Sequence, residues 1–366
     1  RARVIALPES PPSPPIDLLL ESALDAPLGA PVLDGMVASG ARVTVVISDV
    51  TRDEPRDALL RAVLRRLPDR IELTIAIATG THGPCDVGAL GIGPDLLARA
   101  ACIVNHDGRR DADLRLVGET RRGTPVRVHR CVLEADLVVA TGVIRPHYFA
   151  GFGAGGKALF PGLGGDREIR INHAWKEDPR SRPGAIHGNP CREDLDEAAA
   201  LIPTPVYLLD LVAAPGSLPL AVAGDLRAAF LAGAERCATW SSVVAPRAPT
   251  IIVSDRRPVT DSLYQASKLV AAVAPLLEPG GTIVVVAECA LGVGPVAVVN
   301  EAIYRIGLKP RLPPGHQILL VSALAPEQVA TTYCAWAPDV TSAIARTPNG
   351  EVLVVPFATS LILEPG

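Results

Sequence analysis

A chain of 366 residues, 48% of them hydrophobic, is long enough for two domains with their own cores and too apolar to be disordered. Its formal net charge of −4 lacks the basic footprint of nucleic-acid binding, and no apolar run approaches the roughly 18 residues that span a membrane. Seven dispersed cysteines without a C-x-x-C pair, and a start without a secretion signal, predict a reduced, cytoplasmic protein.

The first half of the chain alternates strand and helix patterns, which predicts a largely parallel α/β sheet. Strands are expected at 42–48, 71–78, 102–106, 124–130, 137–141, 206–213 and 217–222. Helices are expected at 57–67, 94–101, 191–201 and 225–239. Asn189 is the expected N-cap of the third of these helices, with Pro190 at its first position. The acidic face of that helix, around Asp194, is expected to be solvated.

Polar residues follow three of these strands at the point where each strand ends. Asp49, Thr51 and Arg52 follow the first strand, His82 the second and His147 the strand at 137–141. In α/β sheets, ligands bind outside the carboxyl ends of the strands. One histidine in such a loop is usually only a polar residue. Here three polar strand ends and a glycine–lysine loop are expected to lie close together. That convergence predicts a site containing Arg52, His82 and His147.

The stretch 141–175 carries that loop, with Lys157 and many glycines lying between His147 and His173. Glycines let backbone N–H groups approach an anion closely, and a lysine adds a positive charge. The residues alone therefore indicate an anion-binding loop with two imidazoles beside it.

Two nucleotide-binding signatures overlay the segment Gly151–Lys157, and both fit badly. A G-x-G-x-x-G motif should follow a strand directly and open a helix, but here the predicted strand ends at Thr141. A G-x-x-x-x-G-K motif should continue with Ser or Thr, but here Ala158 follows. Pro161 then prevents a long helix from starting at the lysine.

After a proline-rich linker at 246–249 the strand–helix pattern restarts. It predicts a smaller second α/β domain at 247–345 after a first domain at 1–246, and 346–366 is a candidate for returning to the first. Strands are expected at 250–254, 282–287, 315–321 and 352–355, and helices at 262–277, 326–331 and 340–345. Gln265 and Lys268 share one helix face, which on spacing alone is usually exposed. The sequence indicates no oligomeric state.

The central stretch resembles the nickel-pincer-nucleotide racemases, the lactate racemase family. Their signature is a G-x-I-x-P-H turn, then A-G-F, a glycine pair with a lysine, and P-G. The matching segments here are Gly142–His147, Ala150–Phe152, Gly155–Lys157 and Pro161–Gly162. A further family motif, L-Y-Q-x-x-K, matches Leu263–Lys268, and the resemblance covers nearly the whole chain.

The resemblance implies a nickel-pincer nucleotide, a pyridinium-3,5-bisthiocarboxylic acid mononucleotide that holds nickel through two sulfurs and a ring carbon. It implies that Lys157 attaches this cofactor and that His173 is a nickel ligand. The loop of Gly155 and Gly156 would contact the cofactor phosphate. The remaining cofactor contacts are expected from Asp49, Thr51 and Trp336.

The resemblance also implies inversion of the C2 carbon of a small 2-hydroxy acid, by proton-coupled hydride transfer through a 2-keto acid, in a cleft between the domains. His82 and His147 would be the acid–base pair. Arg52 and Lys268 would hold the substrate carboxylate, with help from Gln265. The alternatives are an NAD-dependent hydroxyacid dehydrogenase and a phosphate- or nucleotide-binding protein that uses the Gly-Lys loop.

Two departures from the family leave open which 2-hydroxy acid is the substrate. The first motif, commonly D-D-x-T-R-P, here runs from Ser48 to Asp53, so one acid and the proline are lost. The usual A-G-F-S-G-G has no serine here. Lactate, malate and aldonates therefore remain possible substrates. Arg145 either extends the anion site or is a surface arginine.

Overall fold

The computed structural model describes residues 2–366, and within them the strands form two six-stranded sheets and three two-stranded pairs. Both large sheets are parallel or largely parallel and are flanked by helices, which confirms the predicted α/β fold class. In spatial order the first sheet consists of Ser217–Asp225, Val206–Ala214, Leu137–Ile144, Arg42–Ser48, Glu72–Ala78 and Cys102–Asn105. Only Ser217–Asp225 runs antiparallel to its neighbour.

The centre of the first sheet is formed by Arg42–Ser48 and Leu137–Ile144, whose apolar side chains are almost all buried. Strands covered on both faces are apolar along their whole length, which is why this part of the sheet was predictable. One expected strand lies elsewhere. Pro125–His129 pairs antiparallel with Leu114–Glu119, a strand missed in the sequence, and the two form a separate hairpin.

Helices pack on both sheets. The α-helices are Ile16–Asp25, Arg56–Arg66, Pro94–Arg99, Arg130–Leu133, Asp166–Ala174, Pro190–Ala200, Leu226–Ser241, Leu263–Val273, Val296–Val298, Pro326–Val329 and Val340–Ile344, and Val299–Leu308 is a π-helix. The side chain of Asn189 accepts a hydrogen bond from the N–H of Arg192, so the predicted cap is confirmed. Among residues 2–366, no helix combines the length and apolar character needed to cross a membrane.

The second sheet consists, in spatial order, of Ala2–Val4, Val352–Val355, Ala248–Val253, Leu277–Val286, Gln317–Val321 and Ala335–Ala337, all parallel. Two of its strands therefore lie outside the predicted range 247–345. Val352–Val355 does not return to the first sheet, because its side chains Leu353 and Val355 are buried in the second core. The segment Ile362–Pro365 pairs with Ser242–Ala245, which lies within the predicted first domain, and Ile362 packs among core residues of that half. The domain boundary at residue 246 itself stays a prediction.

The helix Leu263–Val273 is shorter than predicted and supplies one wall of the site described below. Ser262 caps its first turn by accepting from the N–H of Gln265. The α-helix ends at Val273 and passes into the 3₁₀ turn Ala274–Leu276, because Pro275 has no N–H with which to continue the α-helical hydrogen bonds. The following strand accordingly begins at Leu277, earlier than expected.

Candidate active site

A cavity of about 180 Å³ lies at the carboxyl ends of the first sheet's central strands. Helix Leu263–Val273 contributes to its wall, so residues from both halves of the chain surround it. Eight of the residues proposed from the sequence line this cavity: Asp49, Arg52, His82, His147, Lys157, His173, Gln265 and Lys268.

The glycine pair lies outside the cavity wall and packs in the core. Gly155 has a φ of 62°, and its N–H donates to Oδ2 of Asp210 at 2.9 Å. A Cβ on Gly155 would lie 2.4 Å from the ring of Phe230, and one on Gly156 would lie 2.9 Å from Ala199. Close packing therefore explains both glycines. This placement differs from the predicted phosphate contact, since the Gly155 N–H is already bonded.

The turn around this pair also argues against the two nucleotide-binding signatures. Gly155–Ala158 forms a single 3₁₀ turn and no α-helix starts there, whereas both signatures require the loop to open a helix.

Thr51 and Trp336 also lie outside this cavity wall. Thr51 lines an adjoining, larger cavity and donates to Asp49. Trp336 lies on Ala335–Ala337, the edge strand of the second sheet, and its carbonyl accepts a hydrogen bond from Arg346. The geometry thus gives no support to the expected packing of Trp336 on a cofactor.

Arg56 shapes the loop that carries Asp49 and Arg52. Its buried guanidinium donates to the carbonyls of Ser48, at 2.8 Å, and of Asp49 and Arg52. Three backbone carbonyls are thereby held around one side chain, which fixes the directions of Asp49 and Arg52. Sequence reasoning missed Arg56. A positive charge in the first turn of a helix opposes the helix dipole, and this unfavourable position was the sequence feature that could have indicated a special role.

His82 is held by Asp49, whose Oδ2 lies 2.7 Å from Nδ1 of the imidazole. Burial alone would raise the pKa of Asp49, but the hydrogen bond and charge of His82 hold that pKa well below its usual value. Asp49 is therefore ionised, so Nδ1 of His82 carries the proton and donates it. The other ring nitrogen, Nε2, is left with a lone pair that can accept a proton.

His147 has the opposite arrangement. Its Nδ1 accepts hydrogen bonds from the N–H groups of Ala150 at 3.2 Å and Phe149 at 3.5 Å. Burial, reinforced by the charge of Lys157 and other nearby cations, lowers the pKa of His147 well below its ordinary value. The neutral ring therefore carries its proton on Nε2. The two histidines are complementary, since Nε2 of His82 accepts a proton and Nε2 of His147 donates one.

His173 is oriented by a buried polar network. Asn172 donates from Nδ2 to Asp194 at 2.8 Å, so its Oδ1 is the atom that faces Nδ1 of His173 at 3.0 Å. His173 thus donates from Nδ1 and leaves the Nε2 lone pair free. Burial lowers the pKa of His173 well below its usual value, which keeps the ring in the neutral form that binds metals. Within residues 2–366, no group of three or more His, Cys, Asp or Glu side chains is arranged to hold a metal ion.

Asn172 and Asp194 were both missed in the sequence. The expectation that Asp194 belongs to a solvated helix face is wrong, since this residue is fully buried. It accepts hydrogen bonds from the hydroxyls of Thr120 and Thr124 as well as from Asn172. Asp196, two residues further along, is partly exposed. The acidic composition of this helix therefore could not show which of its carboxylates is buried.

Lys157 points its amine toward the aromatic ring of Phe149, with 5.5 Å between Nζ and the ring centroid. The same ring lies 4.6 Å from the imidazole of His147 and 4.8 Å from that of His173, centroid to centroid. Burial lowers the pKa of Lys157 to about 7. A substantial part of this lysine is thus a neutral amine near pH 7, the form that reacts as a nucleophile.

The remaining cations suit a carboxylate ligand. Lys268 donates from Nζ to Oε1 of Gln265 at 2.5 Å. Burial, followed by the charge of Arg52, lowers the pKa of Lys268 to about 7. An anion bound between Arg52 and Lys268 would relieve this repulsion, so the site is arranged to attract negative charge.

Asp210 is a further buried acid that sequence reasoning missed. It is fully buried in the strand Val206–Ala214, and its Oδ1 has no hydrogen-bond partner while Oδ2 accepts from Gly155. Burial raises the pKa of Asp210 to about 8. Its signal was present, because an aspartate interrupts an otherwise apolar run of strand residues.

We expect Asp210→Asn to flatten the pH dependence of stability. The pKa of Asp210 in the folded state lies above its value in the unfolded chain. The contribution of this carboxyl to the free energy of unfolding is therefore complete below about pH 4, and it falls by up to about 1.4 kcal/mol per pH unit as the pH rises toward 8. An asparagine cannot ionise and can still accept from Gly155. Thermal unfolding between pH 5 and 9 measures the difference, with the exposed Asp69→Asn as matched control. Parallel curves for Asp210→Asn and the unmodified protein would contradict the prediction.

Both the sequence and the fold of this chain are similar to those of known proteins. The family model described as "Lactate racemase N-terminal domain" matches residues 1–184. The lactate racemase of Thermoanaerobacterium thermosaccharolyticum is 30% identical over 295 residues, which cover 78% of this chain and 68% of that protein. The lactate racemase of Lactiplantibacillus plantarum is 29% identical over 284 residues, covering 75% of this chain and 66% of that protein.

Solved structures share the fold over nearly the whole chain. The lactate racemase apoprotein from T. thermosaccharolyticum matches with a TM-score of 0.88 at 24% identity, covering 99% of this chain and 95% of that one. A Thermotoga maritima protein matches with a TM-score of 0.72 at 14% identity, covering 96% and 97%. At these identities the structural matches establish the fold alone.

Proposed function

The chain belongs to the lactate racemase family, and from this premise we propose that it is an isomerase that inverts the C2 carbon of a 2-hydroxy acid. The observation that carries the proposal is the meeting of two complementary imidazoles, His82 and His147, with Arg52 and Lys268 in one cavity. That set can bind a carboxylate and move a proton on and off the adjacent hydroxyl. The cavity would be the cleft between the two domains.

We propose that the cofactor is a nickel-pincer nucleotide. His173 would be its protein ligand, because Asn172 orients the ring with the Nε2 lone pair free. Lys157 would hold the organic part, because its amine has a pKa lowered to about 7 and faces the same cavity. When bound, this group supplies a carbon that accepts a hydride from the substrate and returns it.

The chain's own residues bind and orient the substrate. Arg52 can form two parallel hydrogen bonds to a carboxylate, which fixes the plane of that group. Lys268, held by Gln265, adds a second positive charge from the helix Leu263–Val273. Because the helix belongs to the second half of the chain, its approach would also remove water from the cavity and protect a keto acid from escape.

Proton movement is assigned to the two histidines. His82 would take the hydroxyl proton at Nε2, and the ionised Asp49 at its Nδ1 would stabilise the resulting imidazolium. For inversion the C2 oxygen must regain a proton on the opposite face, and Nε2–H of His147 would supply it. Because His147 is neutral, the proton it gives up would be replaced from water, while His82 releases the proton it took. Net inversion then leaves the substrate with the same atoms and charge. The reverse reaction would use the two residues in the opposite order.

The test is a racemisation assay on protein produced together with the enzymes that make the cofactor. Pure L-lactate, incubated without NAD, should give D-lactate, and pure D-lactate should give L-lactate, as measured by chiral chromatography. Pyruvate that accumulates only when NAD is added would instead identify a dehydrogenase and overturn the proposal.

A further inference from the structure

A second cavity, of about 560 Å³, opens from the active site and has no role in the steps above. The two cavities share Arg52, His147 and Lys268 in their walls, so a molecule held at the acid–base pair reaches directly into the larger space. Cavities of this size hold ligands considerably larger than a three-carbon acid. The inference below rests on the proposed function and concerns which 2-hydroxy acid this site takes.

The larger cavity contains a cation with unused hydrogen-bond donors. Arg145 donates from Nη2 to the carbonyl of Asp53, but its Nε is buried and has no partner. Burial lowers the pKa of Arg145, and the charges of Glu54 and Asp53 offset this lowering only in part. Arg256, also on this wall, has its nearest carboxylate, that of Asp53, only at 4.0 Å. Leaving a buried guanidinium donor unpaired costs free energy unless a ligand fills the gap.

The acids on the same wall neutralise these arginines only in part. The carboxylate of Asp255 accepts from the N–H and hydroxyl of Thr359 and from the N–H of Arg256. Glu54 accepts from the hydroxyl of Ser48, and burial raises its pKa. Another arginine of the wall, Arg257, is paired with Asp261 at 2.5 Å. Arg145 and Arg256 are therefore the cations left for a ligand.

The backbone sets the distance between Arg145 and the reacting carbon. Pro146–His147 is an extended segment paired with Gly151–Phe152, and the N–H of Gly153 continues the pairing to the carbonyl of Arg145. Residues two apart on an extended chain point to the same face and are roughly 7 Å apart. Arg145 and His147 accordingly line the same cavity.

We propose that the larger cavity receives the far end of the substrate, where Arg145 and Arg256 pair with a second carboxylate. The substrate class is then a 2-hydroxy dicarboxylate of roughly four or five carbons, because that length spans the separation of Arg145 from His147. Arg52 and Lys268 hold the carboxylate next to the inverted carbon. Malate is the simplest member of this class.

The experiment compares malate with lactate on cofactor-loaded enzyme, using single enantiomers of each and chiral chromatography. The unmodified enzyme should have the higher kcat/KM for malate. In Arg145→Gln the ratio of kcat/KM for malate to that for lactate should fall at least about 10-fold, mainly through KM, because a buried charge pair is lost. Arg256→Gln should lower the ratio less, since its side chain is exposed. Arg257→Gln, an arginine already paired with Asp261, is the matched control and should leave the ratio unchanged.

Several outcomes would overturn the inference. If lactate is racemised and malate is not, or if both Arg145→Gln and Arg256→Gln keep the original ratio, the dicarboxylate assignment is wrong while the proposed function stands. If Arg145→Gln retains less nickel while its ratio of malate to lactate activity is unchanged, the anion at Arg145 belongs to the cofactor. The dicarboxylate assignment is then again wrong. If Arg145→Gln does not fold, Arg256→Gln decides alone. If neither acid is racemised, the proposed function and the inference both fail.

Discussion

Replacing His82 or His147 with alanine should reduce net racemisation by about 10²–10⁴-fold, the loss that follows removal of one general acid or base. Each histidine should be needed because inversion requires a proton to leave the hydroxyl and a proton to return after the hydride has changed faces. The two losses should differ by enantiomer, since each enantiomer would present its hydroxyl to a different one of the two imidazoles that line the cavity.

A single-turnover experiment separates the two roles. Each pure enantiomer is mixed with excess loaded enzyme, and the bound keto acid is measured after acid quenching. His82→Ala and His147→Ala should each be impaired mainly with a different enantiomer. His187→Ala, an exposed histidine outside both cavities, is the matched control and should behave like the unmodified enzyme. Equal loss with both enantiomers in both variants would mean that the histidines act together on one face.

Replacing His173 with alanine should abolish retention of nickel by cofactor-loaded protein. The imidazole would be the only metal ligand that the chain itself supplies, so its removal leaves the metal held by the organic group alone. Metal analysis after gel filtration measures the effect without depending on activity. Full nickel content in His173→Ala would contradict the assignment of this residue as a ligand.

Asn172→Ala provides a graded comparison for the same measurement. It leaves the imidazole of His173 in place but removes the oxygen that orients it at 3.0 Å. Loss of such a supporting hydrogen bond typically weakens metal affinity by about 10- to 100-fold. Asn172→Ala should therefore contain nickel after loading. A mild chelator should remove that nickel from the variant under conditions in which the unmodified protein keeps it. His187→Ala is again the control.

The residues at the cavity were largely predictable because local patterns mark them. Arg42–Ser48 and Leu137–Ile144 are apolar runs that end in polar loops, and parallel strands bring such loops to one edge. Arg52, His82 and His147 could therefore be placed together without knowing the fold in detail. Lys157 and His173 followed from the family resemblance, since spacing alone did not distinguish them from an ordinary anion-binding loop.

The supporting residues could not be predicted in the same way. Asp194 lies in an acidic run that resembles any solvated helix face, and only the tertiary structure buries it against Asn172. The Gly155 N–H could be assigned to Asp210 only once two distant strands and a loop were placed. Pairing of Ala2–Val4 with Val352–Val355 joins the two ends of the sequence, and no local pattern specifies such a contact.

The placement of Ala2–Val4 in the second sheet has a mechanical consequence. The chain starts beside Val352–Val355, crosses to the first sheet before Arg42, and crosses back between Ala245 and Ala248. A third tie comes near the other end of the sequence, where Ile362–Pro365 pairs with Ser242–Ala245 and Ile362 packs among core residues of the first half. Three ties restrict the relative motion of the halves more than a single linker would. Any closure that carries Lys268 toward Arg52 would therefore follow a narrowly restricted path.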